Sequence, residues 1–518
     1  MSLHGSITRN ANLGVFFGYT AILVLALAIR LPLLREMGVW YDEVFSLVMS
    51  TMDGGEEYFR LQAVYHLFMR GWVALFGYSP IALKTPSLLF ALLSFPCFIA
   101  LTLQLTGSHR HAGVAALLLA LASFHIYHSQ EARPYTLLML LFILSASLTA
   151  VLLKRRETPV ALTALVLVDL LALFTHPYGL FLFGLHVPLL VRAGLRPKWP
   201  FGLMILIVGL YFLMAFGTEP IELQAQARYL RRPQLLGDVY NLWATLSYGG
   251  DRPYNSGLGF ELDEPLLLRC RISAGILGTM FLLGLGLTLL EARRSRSLLP
   301  LIAPLWCIVP PLGALVFSTL VFPVFLPRYF LVVLPPFLLL TVTGTLFLAD
   351  RLRLPLPLIV LVLAGLASPA LSAVFGLTTV QAWQAIDTKL RQQAGDRALL
   401  FSPGVQFLNL IYYRDARFLV EDFPGDLEAY FVMLSTHQET MLSLYRPAER
   451  SLCSAKDLEA FSTSCELRGE TLWLVLQKEW PGNDTWAALM QNLACDPEEK
   501  EIFFPDPGVT LVRCQADF

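Results

Sequence analysis

The fold is decided by Leu13–Phe45, LGVFFGYTAILVLALAIRLPLLREMGVWYDEVF. Residues 13–34 are mostly apolar and match the ~20 residues a helix needs to cross a hydrocarbon core. A few residues later come Trp40, Tyr41, Asp42, Glu43, Val44 and Phe45. A carboxylate pair flanked by aromatics at a membrane surface is expensive to desolvate unless it is paired or used. The stretch therefore predicts an anchor that delivers two acids to one face of a membrane. It has no short apolar region ending in an A-x-A site, so it reads as an uncleaved span rather than a signal peptide.

The same apolar texture continues outward. Further candidate spans lie at 82–106, 112–127, 134–153, 159–175, 177–193, 199–217, 271–290, 298–321, 327–349 and 355–377. With 13–34 these give about 11 transmembrane helices. The whole chain is 56% hydrophobic with a mean hydropathy of +0.60 and 15% charged residues, against about 25% charged in average soluble proteins. A net charge of −1 gives no reason to expect nucleic acid as a partner. Of the chain's 77 charged side chains, 33 fall in residues 378–518. That shift divides the chain into a membrane domain, 1–377, and a water-soluble domain, 378–518, long enough for its own core.

Lys and Arg set the orientation. Alternate loops hold Arg9; Arg110; Lys154, Arg155 and Arg156; Arg192, Arg196 and Lys198; Arg293, Arg294 and Arg296; and Arg351 and Arg353. These are the inside loops. The first outside loop carries six acids, Glu36, Asp42, Glu43, Asp53, Glu56 and Glu57, against Arg35, Arg60 and Arg70. The expectation is an N-terminus in the cytoplasm and residues 378–518 outside. Cys453, Cys465, Cys495 and Cys514 then share an oxidising space, which suggests two disulfides, with Cys453–Cys465 and Cys495–Cys514 as the chosen pairing. The outer domain reads as mixed α/β, with helices at 379–394 and Asp484–Ala494 and strands at Ala398–Ser402, Arg417–Glu421 and Leu472–Gln477.

Two outside loops are long, 35–81 and 218–270, and must shape any outward cavity. Asp42 in the first could take a proton from an acceptor hydroxyl, although a solvated acidic loop beside an aromatic belt would carry the same residues. A second polar cluster, His125–Tyr135, forms a short outside turn containing Glu131 and Arg133. The planar fork of Arg133 suits a phosphate, or pairs with Glu131. Lys84 lies near the outer end of a span, where snorkelling is the commoner fate, and Arg328, at the outer end of another, could bind an anion or merely anchor the helix. His176 reads as a helix-end hydrogen bonder. One carboxylate pair and several cations on one face suit a reaction on a lipid-linked anionic donor, and equally a transporter for an anionic lipid.

Five motifs in order resemble the GT-C membrane glycosyltransferases, nearest to the protein O-mannosyltransferase and aminoarabinose transferase branch, glycosyltransferase family 39 and its relatives. They are Asp42-Glu43-Val44-Phe45; the loop helix Tyr65–Gly77 ending in Leu75-Phe76-Gly77; Ala82-Leu83-Lys84-Thr85-Pro86-Ser87; Ser129-Gln130-Glu131-Ala132-Arg133-Pro134-Tyr135; and Pro327-Arg328-Tyr329. One departure is that Leu61-Gln62-Ala63 stands where the family often has His-Pro-Pro; His66 is out of register with that histidine.

The resemblance implies a polytopic α-helical GT-C-like membrane protein of the cytoplasmic membrane with a C-terminal extracytoplasmic α/β domain. It implies an inverting transfer of a sugar from a polyprenyl-phosphate donor to an acceptor hydroxyl on a protein, a glycolipid or a wall polymer. Asp42 would be the base or would orient the acceptor, supported by Glu43. Arg133, Arg328 and Lys84 would hold the phosphate, with Glu131 nearby, and Trp40, Tyr65, Tyr135 and Tyr329 would line the sugar or prenyl site. Cations can neutralise a phosphate leaving group without a metal; a divalent ion shared by Asp42, Glu131 and the donor phosphate is the alternative. The alternative function is a transporter or flippase for a lipid-linked sugar. The sequence shows no inverted repeats, which counts against it.

Overall fold

The computed structural model describes residues 3–51, 60–155, 158–194, 202, 205–211, 213, 233–250, 263–321, 323–376, 382–393, 399–402, 407–422, 442–446, 451–455, 471–477, 494–503 and 509–515. Most of the predicted span 199–217, most of loop 218–270, the acids Asp53, Glu56 and Glu57, Cys465 and nearly all of the predicted helix Asp484–Ala494 lie outside the described residues.

The opening stretch folds as two helices, α1 (Leu3–Glu36) and α2 (Tyr41–Thr51). The break at 37–40 is held by Glu43 at the third helical position, whose carboxylate accepts from the Trp40 amide at 3.0 Å, one half of a capping box. Helix α3 (Ala63–Phe76) follows in the same loop, then α4 (Pro80–Thr106). Helix α4 starts where the sequence signals a start: the Ser79 hydroxyl accepts from the Ala82 amide, and Pro80 takes the first turn. It stops at Gly107, whose φ of 65° is the left-handed conformation that ends many helices.

Beyond it lie α5 (His109–Leu121), α6 (Ser123–His128), α7 (Tyr135–Lys154), α8 (Pro159–Thr175) and α9 (Phe181–Arg192). The described chain continues with α10 (Leu235–Tyr248), α11 (Glu264–Ser295), α12 (Ile302–Leu320), α13 (Leu334–Arg351) and α14 (Leu356–Phe375). Among the described residues seven helical segments are long and apolar enough to cross a membrane: 14–35, 80–106, 135–154, 264–295, 299–320, 327–351 and 356–375. Helices α8 and α9 are apolar but shorter.

The predicted span 112–127 is corrected. It breaks at Ala122, where ψ of 110° is extended, giving α5 and α6. The break has a cause on α1: buried Arg30 donates to the carbonyls of Leu119 and Ala120 and bonds His125 Nδ1 at 2.7 Å. A guanidinium serves the carbonyls that the interrupted helix leaves without intrahelical donors. The turn expected over His125–Tyr135 is therefore shorter, because 123–128 is a buried helix.

One apolar core runs through α4, α5, α7 and α13. Helices α11 and α13 touch backbone to backbone at Gly284 and Gly344. A Cβ on Gly284 would lie 1.8 Å from the Leu340 carbonyl oxygen, and one on Gly344 would lie 2.0 Å from that of Met280. A second core joins α2, α3 and Leu83 of α4 to the two helices after the last span, α15 (Ala382–Gln393) and α16 (Phe407–Arg417), through Val44, Leu47, Tyr65, Trp383, Leu408 and Ile411.

The C-terminal sheet has six strands in the order β3-β2-β1-β4-β6-β5: β1 (Leu399–Ser402), β2 (Leu442–Arg446), β3 (Ser451–Ala455), β4 (Thr471–Gln477), β5 (Ala494–Phe503) and β6 (Val509–Gln515). The β1–β4 pair is parallel and the others are antiparallel. Cys495 and Cys514 are direct register partners. The predicted strand Arg417–Glu421 is corrected: Phe418–Asp422 is a helical turn. Asp415 leaves the helix at φ −153°, its side chain accepts from the Phe418 amide, and Arg417 pairs with Glu421 one turn on. These contacts restart a helix in a sequence whose apolar run resembles a strand. Cys97, Cys270 and Cys307 form no disulfide.

Candidate active site

Three segments distant in sequence meet at Asp42, and a fourth stands behind them. Helix α2 presents Asp42 from its first turn, the 129–134 turn presents Arg133, and the 3-10 turn Pro327–Val333 presents Arg328. The fourth, α4, supplies Lys84. Arg328 Nη1 donates to Asp42 Oδ2 at 2.9 Å. Arg133 Nη2 stands 3.9 Å from the same oxygen. Its Nη1 donates to the Ser46 hydroxyl at 2.9 Å and to the Asp42 carbonyl at 3.2 Å. The three side chains stay 14–20% exposed, so the cluster is sheltered but reachable. Among the described residues, the buried Nε atoms of both arginines, the Tyr65 hydroxyl and the Trp40 indole nitrogen have no hydrogen-bond partner. Buried donors without partners are rare in folded proteins and mark a place for another acceptor.

Glu43, adjacent to Asp42, faces elsewhere and is fully buried, as expected for neighbours ~100° apart on a helix. It accepts from the Ala132 amide at 2.7 Å and the Trp40 amide at 3.0 Å. Lys84 Nζ is 3.7 Å away and donates to the carbonyls of Met37 and Gly38. Burial pushes the Glu43 carboxyl up to about 7, against the pull of Lys84 and the two amides. Glu43 and Lys84 thus fix the turn before Asp42 and tie it to the turn that carries Arg133. Lys84 is 1% exposed and directed at backbone carbonyls.

Glu131 is buried against His128 Nδ1. Among the described residues no three His, Cys, Asp or Glu side chains converge as a metal-ligand group. An aromatic wall closes the other side: the Tyr329 ring lies 4.6 Å from His176, 5.2 Å from Tyr178 and 5.9 Å from Tyr135. Arg328 and Arg133 stand 5.6 and 5.7 Å from the rings of Tyr329 and Tyr135. Burial, then Arg133 and Arg328, push His176 down to about 3, so it is neutral at pH 7. His66, out of register in the sequence, bonds Ser50 at 2.9 Å and is likewise pushed down to about 3 by burial and then by Arg133.

An apolar cavity of about 610 Å³ is lined by α10, α11, α12 and by Phe325 and Val333, which flank Arg328 in the chain. Volumes of this size suit drug-sized or larger apolar ligands.

Ser46, Tyr178 and the Ala132 amide were not singled out from the sequence. Ser46 had a signal: Asp42, Ser46 and Ser50 repeat every four residues and so share one helix face. A backbone amide leaves no trace in residue type.

No protein-family profile and no curated protein matches the sequence. Among solved structures, ArnT from Cupriavidus metallidurans in the apo state matches with a TM-score of 0.60 at 14% identity, over 97% of this chain and 98% of that one. The chain has the GT-C fold. The same ArnT bound to undecaprenyl phosphate matches with a TM-score of 0.56 at 14% identity, over 95% and 97% of the two chains. The five sequence motifs and the likeness over the whole chain point to the same fold.

Proposed function

We propose that this GT-C-fold protein transfers a sugar from a polyprenyl-phosphate donor to an acceptor hydroxyl at the outer face of the cytoplasmic membrane, with inversion at the anomeric carbon. The observation that carries the reading is the convergence of Arg328 and Arg133 on one carboxylate, with Phe325 and Val333 of the segment that carries Arg328 lining an apolar cavity. A prenyl chain suits such a cavity and a phosphate suits two forked guanidiniums. The ArnT complex with undecaprenyl phosphate supports the same class of donor.

In this reading the two guanidiniums exchange Asp42 for the donor phosphate. Asp42, relieved of its ion pairs, accepts the proton of the acceptor hydroxyl. The oxygen attacks the anomeric carbon, the carbon–oxygen bond to phosphate breaks, and the leaving phosphate stays neutralised by Arg133 and Arg328. Tyr65, Tyr135, Tyr329 and Trp40 line the donor, with Glu131 held behind them by His128. We assign Lys84 to bracing the turn at Met37 and Gly38 rather than to the phosphate. The orientation puts the N-terminus in the cytoplasm, and residues 378–518 form an outer domain over the site, with a Cys495–Cys514 disulfide.

Purified protein incubated with several sugar-charged polyprenyl phosphates should release polyprenyl phosphate and glycosylate an added acceptor. Movement of the intact donor across a vesicle membrane, without cleavage, would replace the transferase with the transporter.

A further inference from the structure

The turn 37–40 sets where Asp42 stands, and its backbone polar groups are held from several directions. Lys84 of α4 takes the carbonyls of Met37 and Gly38. Glu43 of α2 takes the Trp40 amide, and the Trp40 carbonyl accepts from the amides of Glu43 and Val44. The Val39 amide donates to the Tyr413 hydroxyl at 2.6 Å, across 374 residues of chain. Tyr413 lies on α16, beyond the last apolar span. Its neighbour Tyr412 donates to the Tyr78 carbonyl at 2.7 Å. Two adjacent tyrosines of one helix therefore grip both ends of the loop that carries α2 and α3.

The grip is braced from behind. Arg391 on α15 bonds Asp387 at 2.7 Å and donates to the carbonyls of Tyr413 and Arg414. Arg414 also stands 3.5 Å from Asp387. Trp383, Ile386 and Leu390 pack this pair of helices against Val39, Val44 and Leu47. Val39 is fully buried, so its amide has no ready water if Tyr413 withdraws.

We propose that Tyr413 is a positioning residue for Asp42: by holding the Val39 amide it lets the segment beyond the last span set the place of the acceptor-activating carboxylate. The catalytic consequence rests on the role given to Asp42 above; the positioning itself does not. An outer domain that shifts on engaging an acceptor would then move the base through this bond, coupling acceptor capture to chemistry.

The test is Tyr413→Phe, which removes one oxygen and keeps the ring packed, with Tyr412→Phe as its companion. Hydrogen exchange followed by mass spectrometry should show amides in 37–45 exchanging about tenfold faster in Tyr413→Phe, with peptides across 135–154 unchanged. Tyr412→Phe should instead loosen 76–82. The rate of transfer in Tyr413→Phe should fall several-fold at unchanged donor KM. Unchanged exchange at 37–45 overturns the proposal, as does an equal acceleration everywhere, which marks general loosening. Altered exchange in a protein that cleaves no donor would uphold the positioning and reject the reaction.

Discussion

Replacing Asp42 with Asn should separate binding from chemistry in opposite directions. In the resting site Arg328 spends a 2.9 Å charge-assisted hydrogen bond on Asp42, and Arg133 stands 3.9 Å from the same oxygen. A donor phosphate must win those guanidiniums away and then sit beside a carboxylate. A hydrogen bond to a charged group is worth ~1.5–3 kcal/mol against ~0.5–1.5 kcal/mol for a neutral one. Asn keeps the shape and offers only the weaker acceptor, so the competition drops by roughly 1–1.5 kcal/mol. Asp42→Asn should therefore bind sugar-free polyprenyl phosphate about tenfold more tightly than the wild type. Transfer should fall ~10²–10⁴-fold for want of a base. The measurements are a binding titration with polyprenyl phosphate in nanodiscs and the initial rate with a sugar-charged donor. Unchanged or weaker binding would refute the hand-over of the arginines from carboxylate to phosphate. A wild-type rate would remove Asp42 from the chemistry.

Four further outcomes are expected. Glu43, whose folded pKa is raised above its ordinary value of 4.5 to about 7, disfavours folding once ionised; stability should be greatest below about 4.5 and decline as pH rises to about 7. The decline is at most roughly 3 kcal/mol, and thermal melts of Glu43→Gln should lack that slope while activity falls less than in Asp42→Asn. Arg133→Lys keeps a charge but loses the fork whose Nη1 holds the Ser46 hydroxyl while Nη2 faces the Asp42 carboxylate, so donor KM should rise; Arg328→Lys should act likewise, and the double variant less than additively if both serve one phosphate. Thr158→Cys, beside the basic Lys154–Arg156 stretch, should resist an impermeant maleimide added to intact cells, and ready labelling would invert the topology. Activity should survive thorough chelation with EDTA; its loss, restored by magnesium or manganese alone, would bring Glu131 and a shared divalent ion into the mechanism.

Much of the architecture was legible because its signals are local. Ser79-Pro80 and Gly107 bracket α4, and apolar runs of adequate length mark seven segments as able to cross a membrane. The break at Ala122 was not legible, since residues 112–127 read as one apolar run and the cause, Arg30, lies on another helix. The segment Phe418–Asp422 was misread for a similar reason: Leu419 and Val420 favour a strand, but the Asp415 cap and the Arg417–Glu421 pair restart a helix. At the site, residue types identified Asp42, Arg133 and Arg328 as one cluster. They did not separate Glu43 and Lys84 from it, because a carboxylate or ammonium turned towards backbone looks the same in sequence as one turned towards substrate. Tyr413 gave no signal, since its partner is the amide of Val39.

The contact of Gly284 with Gly344 pins α11 to α13, and both helices reach the apolar cavity, α13 through Phe337. Helices α11 and α13 meet backbone to backbone at these glycines, and Phe281 packs against Phe337 at 5.1 Å beside them, so neither helix has room to close further on the other. The opposite wall includes α12, which carries Pro310 and Pro311 in its interior and lacks the backbone hydrogen bonds their nitrogens would have donated. Pro311 itself lines the cavity. A bulky tail entering from the lipid would be accommodated by bending on the α12 side, while Arg328, at the start of the turn that leads into α13, keeps its register with the fixed side. On the proposed reading, the cavity would widen for a prenyl tail without moving the guanidinium that meets the phosphate.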